Sequence, residues 1–219
     1  ATTGNVVAES DITVGSGATL EASEGDITTS DKLDAAAATV SAPKGKVSVT
    51  GAASVKNLTA DTLTAASTFT VAASGTATLT GSGSPVEGKL TSNGTLYLDG
   101  TLSATGGLEN TSVLKINAGA ELDVEDSFAS TGTIANSGTL TLDATASLGS
   151  GYSQADTGVL INKDTLTFEN GLTSLAGTVQ NEGTLNNSAA LSSAAFTLKN
   201  TKNGEVVNTA KLALSNVEN

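Results

Sequence analysis

The sequence predicts an all-β fold, a parallel β-solenoid of roughly nine to ten coils in which residues 1–219 form a single repeat domain. Three observations lead there. A tripeptide of two large apolar residues flanking a third residue recurs nine times, and alternation of this kind marks a half-buried strand. A bend of small residues follows many copies, and then another apolar residue, so the phrase reads strand, tight bend, strand. The same phrase returns along the whole chain, which stacked repeats require. A β-sandwich with turns every ~8–12 residues does not require it.

In chain order the tripeptides are Ile12-Thr13-Val14, Val47-Ser48-Val49, Phe69-Thr70-Val71, Leu96-Tyr97-Leu98, Leu114-Lys115-Ile116, Leu140-Thr141-Leu142, Leu166-Thr167-Phe168, Phe196-Thr197-Leu198 and Leu212-Ala213-Leu214. The flanking residues are expected to point inward and the central one outward. Thr fills the centre in five of the nine, and its branched Cβ suits a pleated outer surface. Thr13, Thr70, Tyr97, Thr141, Thr167 and Thr197 are therefore the exposed-face candidates. The bends GSGATL (15–20), TGAASV (50–55), NAGAEL (117–122) and DATASL (143–148) supply Gly, Asn, Asp and Ser. Such residues tolerate positive φ or bond their own backbone.

Leu114, Leu140 and Leu166 stand 26 residues apart. Averaged with shorter intervals, one coil is expected to take about 20–26 residues in three short strands. Gly81–Pro85 and Gly149–Gly158 read as excursions from the coil. The Ala-rich Leu33–Ala38 is the one stretch with helical character, and register is hardest to assign after Leu185.

An Asn, a turn residue and then Thr-Leu recur at Asn93, Asn136, Asn162 and Asn181. Equivalent residues of stacked coils lie about 4.8 Å apart, so these four are expected to form one structural amide ladder at one corner. Each buried Leu, Val or Ile contributes roughly 1.5–3 kcal/mol, while ordering each residue costs about 1–2 kcal/mol. An isolated coil cannot fold on those terms, and stacking must be cooperative.

Composition narrows function. Cys, Met, Trp and His are absent, and all ten basic residues are Lys. The net charge is −12 and the isoelectric point about 4.2. Phosphate binding needs clustered Lys and Arg, so nucleic acid is not an expected partner. No apolar run approaches the roughly 18 residues of a membrane helix, so membrane insertion by this segment is not expected either. Without Cys no disulfide can form, which eases export of an unfolded chain. Ala1 is not preceded by a signal peptide, so the chain reads as a mature protein or an excised piece. Regular placement of Leu, Val and Ile argues against the disorder that a Ser/Thr/Gly-rich composition otherwise suggests.

The phrases IANSGTLTL (134–142) and VLKINAGAELDV (113–124) resemble the passenger regions of bacterial autotransporters and related large β-helical surface adhesins. The resemblance covers most of the chain and rests on repetition, since each phrase is short. It implies a right-handed β-helix displayed outside a Gram-negative cell, at the outer membrane surface. The activities it implies are adhesion, cell–cell aggregation and biofilm formation, with self-association or a host or bacterial surface receptor as partner. No segment resembles the membrane-barrel translocator, so the chain reads as the displayed portion alone. The Gly-Asp-Ser-Gly motif of protease-bearing members is missing.

An enzyme is not expected, and no cofactor is implied. Without His or Cys the usual nucleophile–base pairs and zinc sites cannot be built. Paired carboxylates alone can hydrolyse glycosides, so a polysaccharide-processing β-helix stays as a lesser alternative. Glu121, Asp123 and Glu125 alternate onto one outer face and are the weak candidates for a metal site, which would need oxygens converging from several segments. Sequons at Asn57, Asn93, Asn110 and Asn186 arise readily in so Thr-rich a chain. A second alternative is a fibre subunit stacking end to end, because neither Ala1-Thr2-Thr3-Gly4 nor Ser215–Asn219 resembles a cap.

Overall fold

The computed structural model describes residues 3–219 except 170, 171, 173, 189, 192–195, 202, 213 and 215. The chain is all-β and winds into a parallel β-solenoid of about 11 turns. Among the described residues there is no helix. With coils about 4.8 Å apart, the rod is on the order of 50 Å long.

Each coil contributes a strand to three faces. The first face stacks Leu102, Leu122, Leu140, Leu160, Val179 and Leu198 one above another. The second stacks Ile12, Leu33, Ala53, Phe69, Leu90, Leu108 and then Phe128. The third stacks Val40, Leu58, Ala77, Leu96, Leu114, Ile134 and Tyr152. From Leu33 to Leu198 these inward residues are buried and form one continuous core. Alternation holds as expected: Leu140 and Leu142 are buried while Thr141 lies between them on the outer side. The central residue of Leu212-Ala213-Leu214 lies outside the described residues.

Coils are shorter than the sequence spacing implied, which is why there are about 11 of them rather than nine to ten. Paired residues stand at most 21 apart, as do Val6 and Ile27, and at least 16 apart, as do Val47 and Leu63. Leu114, Leu140 and Leu166 do not mark successive coils on one face. They sit on the third, first and second faces in turn, so their spacing measures one coil plus one face.

Two further expectations are corrected. Leu33–Ala38 is not helical but opens the strand Leu33–Val49, where Leu33 and Ala35 stack on Ala53 and Val55. Burial against the next coil outweighs the helix preference of Ala, which is a few tenths to about 0.7 kcal/mol per residue. The segments 81–85 and 149–158 are corner turns rather than excursions. The strands they lead into, Ser84–Val86 and Tyr152–Gln154, stay in the ladder. Corners are tight where coils stack glycine on glycine. A Cβ on Gly100 would sit 1.8 Å from the Gly81 carbonyl oxygen.

The corners differ along the rod. After a first coil of short strands, corners are bends within long strands, Leu33–Val49 and Ala53–Ala65. Later strands run two to five residues and stop at each corner, as in Thr133–Asn136, Thr139–Asp143 and Ala146–Leu148. The first and last described coils leave inner residues half-covered. These are Val6, Ile12, Val14 and Leu20 at one end and Val206, Leu212 and Leu214 at the other.

Candidate functional site

Two features stand out from the regular stack: buried amides at the later corners, and a cleft where one ladder lapses.

The amides come at the second inward position of a strand, two residues past the apolar one. Asn162 and Asn181 are both fully buried at the end of first-face strands. Asn162 Nδ2 donates to Asn181 Oδ1 at 2.8 Å, and Asn181 Nδ2 donates to Asn200 Oδ1 at 2.9 Å. Asn187 Nδ2 donates to Asn208 Oδ1 at 2.8 Å on the second face. The same amides reach round the corner into the next coil. Asn110 Nδ2 donates to the Thr133 carbonyl at 3.2 Å, Asn136 to Val159 at 3.0 Å, Asn162 to Thr184 at 3.0 Å and Asn181 to Glu205 at 2.9 Å. In all four the acceptor belongs to the first residue of a strand. A corner that ends a strand turns a carbonyl inward, and the amide satisfies it.

Asn93, Asn136, Asn162 and Asn181 therefore do not form the single ladder the sequence suggested. Asn162 and Asn181 stack, but the ladder continues to Asn200. Asn136 closes a third-face strand and stacks beneath Gln154. Asn93 precedes the strand Thr95–Leu98 and accepts from Thr111 Oγ1 at 2.9 Å. The shared phrase of Asn, turn residues and Thr-Leu marks a corner, but the solenoid has three corners per coil and the phrase does not say which. The sequence reading missed Asn110, Gln154, Asn187 and Asn200. Their signal was available: each stands two residues after an inward apolar or aromatic residue, Leu108, Tyr152, Leu185 and Leu198.

Each column has a first rung. The Oδ1 atoms of Asn110, Asn136 and Asn162 are buried without a hydrogen-bond partner. Beneath Asn136 lies Ile116, and beneath Asn162 lies Leu142. Neither offers a donor, so the amide chain points one way along the axis and starts on an unsatisfied oxygen. Tyr152 joins the Asn136 column: its hydroxyl donates to Gln154 Oε1 and accepts from Asn136 Nδ2 at 3.3 Å. Burial holds the phenol well above its usual range, and the Asn136 hydrogen bond offsets this in part.

The exposed-face candidates do not share a face. Thr13, Thr70 and Thr167 lie on the second, Tyr97 on the third, and Thr141 and Thr197 on the first. Thr13 is exposed and the others are half-buried, because neighbouring coils cover their flanks. Tyr97 carries Lys115 Nζ over its ring, 5.7 Å from the centroid. Glu121, Asp123 and Glu125 all face outward on Glu121–Glu125, stacked on Thr139, Thr141 and Asp143. Among the described residues, no three acidic side chains are placed to share a metal ion. The sequon residue Asn110 is buried with its amide bonded to Ser130, so the fold closes it to modification.

The cleft lies at the corner between the second and third faces. It has a volume of about 900 Å³ and is walled mainly by residues 128–134 and 145–152. Glu169 stands at its rim.

This architecture places the chain among the parallel β-solenoids. Comparison with protein-family models, curated proteins and solved structures found no match.

Proposed function

We propose that the chain is a non-catalytic structural segment of an extracellular surface adhesin, acting as a spacer and contact surface for adhesion or self-association. The observation that carries this reading is the stack of about 11 coils with rows of Thr and Ser along its outside, such as Ser41, Thr59 and Thr78 on the third face. Such rows repeat neutral donors and acceptors at coil spacing. Each hydrogen bond contributes only about 0.5–1.5 kcal/mol, but a rod offers many in register. A net charge of −12 and the lack of Cys suit a soluble exported chain. The resemblance of the phrases 113–124 and 134–142 to autotransporter passengers supports display at a bacterial outer membrane.

Beads coated with the purified chain are expected to adhere to cells or to one another more than beads carrying a heat-denatured sample. Equal attachment by both would remove the reading.

A second reading is an end-to-end fibre, favoured by the half-covered residues of the terminal coils. Val6 is half-buried at one end and Val217, above Leu198, is 51% exposed at the other. A further coil covers such surfaces, in the same polypeptide or in another copy. Sedimentation that stays monomeric at high concentration would count against fibre formation.

A further inference from the structure

We propose that the cleft between residues 128–134 and 145–152 binds a neutral oligosaccharide. The second face is laddered from coil to coil except here. Among the described residues, Phe128–Ser130 pairs with Leu108–Asn110 below, and Ala146–Leu148 pairs with Leu166–Phe168 above, but the two strands do not pair with each other. Their facing backbone edges border the cleft. Backbone N–H and C=O groups left out of a ladder are strong unmet donors and acceptors.

The other two faces hold the same two coils together. Leu122 pairs with Leu140 on the first, and Ile134 with Tyr152 on the third. The gap therefore cannot open to the ~9.5 Å, two strand spacings, that an inserted polypeptide strand would need. The occupant must lie in the corner and meet the edges from outside.

The lining says what chemistry it has. Thr131, Ser147 and Ser150 supply hydroxyls, which both donate and accept, while Ser130 and Thr145 already bond within the protein. No Lys lines the cleft, so nothing there attracts an anion. Glu169 is the one charged lining residue, and a carboxylate accepts strong charge-assisted bonds from vicinal hydroxyls. Phe128, 8% exposed, gives the apolar floor on which the C–H face of a sugar ring can rest. The volume falls in the range of small-molecule sites, roughly 300–1,000 Å³. The proposal does not depend on where the protein is displayed.

The test is calorimetric titration of the whole chain with maltohexaose, cellohexaose, chitohexaose and mannohexaose, with hexagalacturonate as the acidic counterpart and an unstructured Ser/Thr peptide as the protein counterpart. At least one neutral sugar is expected to bind. Ser147→Arg places a long side chain at the mouth from an exposed position and is expected to weaken that binding by about tenfold or more, with the thermal melt unchanged. Glu169→Gln is expected to weaken it less, and Thr59→Arg on the third face not at all. The proposal is overturned if no neutral sugar binds, if Ser147→Arg binds as well as the native chain, or if hexagalacturonate or the peptide binds more tightly. Bead attachment is scored separately. Sugar binding without attachment would remove the adhesin reading alone, and attachment without sugar binding would remove the cleft alone.

Discussion

The coils between residues 33 and 79 and those after about residue 100 turn their corners in different ways. In the early coils the second inward position holds Ala35, Ala42, Val49, Val55, Ala60 and Val71, all buried. Small side chains there let strands run through the corner, so that Leu33–Val49 bonds to its neighbour along most of its length. In the later coils the same position holds Asn110, Asn136, Gln154, Asn162, Asn181 and Asn187 at some corners and apolar residues such as Leu98, Ile116 and Leu142 at others. Strands there end at the corner and leave an inward carbonyl, which the amide takes up. A corner made by bending needs only small apolar residues. A corner made by stopping can close on an apolar residue too, as at Leu98, Ala104, Ile116 and Leu148, so the amides serve those stopping corners that leave a carbonyl for them to take up.

Exchanging the two kinds of residue tests that contrast most severely. Asn181→Val removes the acceptor of Asn162, the donor to Asn200 and the donor to the Glu205 carbonyl. Asn162 keeps its bonds to the Asp164 and Thr184 carbonyls, so two groups are orphaned at about 1–3 kcal/mol each, and a loss of roughly 2–6 kcal/mol is expected in urea denaturation followed by circular dichroism. The loss should fall on the late coils first, since solenoids unfold through nearest-neighbour contacts. A variant as stable as the native chain would show the amides to be passengers.

The reverse exchange, Val55→Asn, puts an amide between Ala35 and Val71. Neither neighbour offers a partner, and a buried unpaired amide together with lost apolar burial costs about 2–4 kcal/mol. Similar losses for Asn181→Val and Val55→Asn would say that each corner accepts only its own chemistry.

A subtler pair uses the unsatisfied first rung. Leu142→Asn sets an amide directly beneath Asn162, whose Oδ1 lacks a partner. Leu140→Asn sets one beneath Leu160. Both lose a buried Leu, but only the first completes a ladder, so Leu142→Asn is expected to be the milder by about 1–3 kcal/mol. Equal melting midpoints would mean that the ladder has no direction.

The smallest effect belongs to Tyr152→Phe, which removes one hydroxyl from the Asn136 column and costs about 1 kcal/mol near neutral pH. Its pH dependence is more telling. Burial raises the Tyr152 pKa above 10.0, its ordinary value. Above that pH the unfolded chain releases a proton that the folded chain keeps. The contribution is complete below pH 10 and falls as pH rises, by about 1.4 kcal/mol per unit. Native protein should therefore lose more stability than Tyr152→Phe between pH 10 and 11.

Much of this molecule is a consequence of local pattern. Alternation at Leu96-Tyr97-Leu98 or Leu140-Thr141-Leu142 is enough to define a strand with one buried side, and its repetition is enough to require stacking. Both are short-range properties, since a side chain's side depends on parity alone. The corner phrases were equally visible, because Gly, Asn and Asp act on their own backbone. Coil assignment was not. Leu114, Leu140 and Leu166 carry the same phrase on three different faces, and no residue announces which third of a coil it occupies. Only closure of the stack, with Val47 over Ile27 and under Leu63, fixes the coil length and hence the number of coils. The same holds for the asparagines. The sequence by itself determined that Asn136 and Asn162 stand at corners. Tertiary structure decided that Asn162 meets Asn181 while Asn136 meets Gln154, because partners in a solenoid are set by winding, about twenty residues away in the chain. The cleft belongs wholly to that second kind of information, since a ladder lapses only between two strands that winding has already brought side by side.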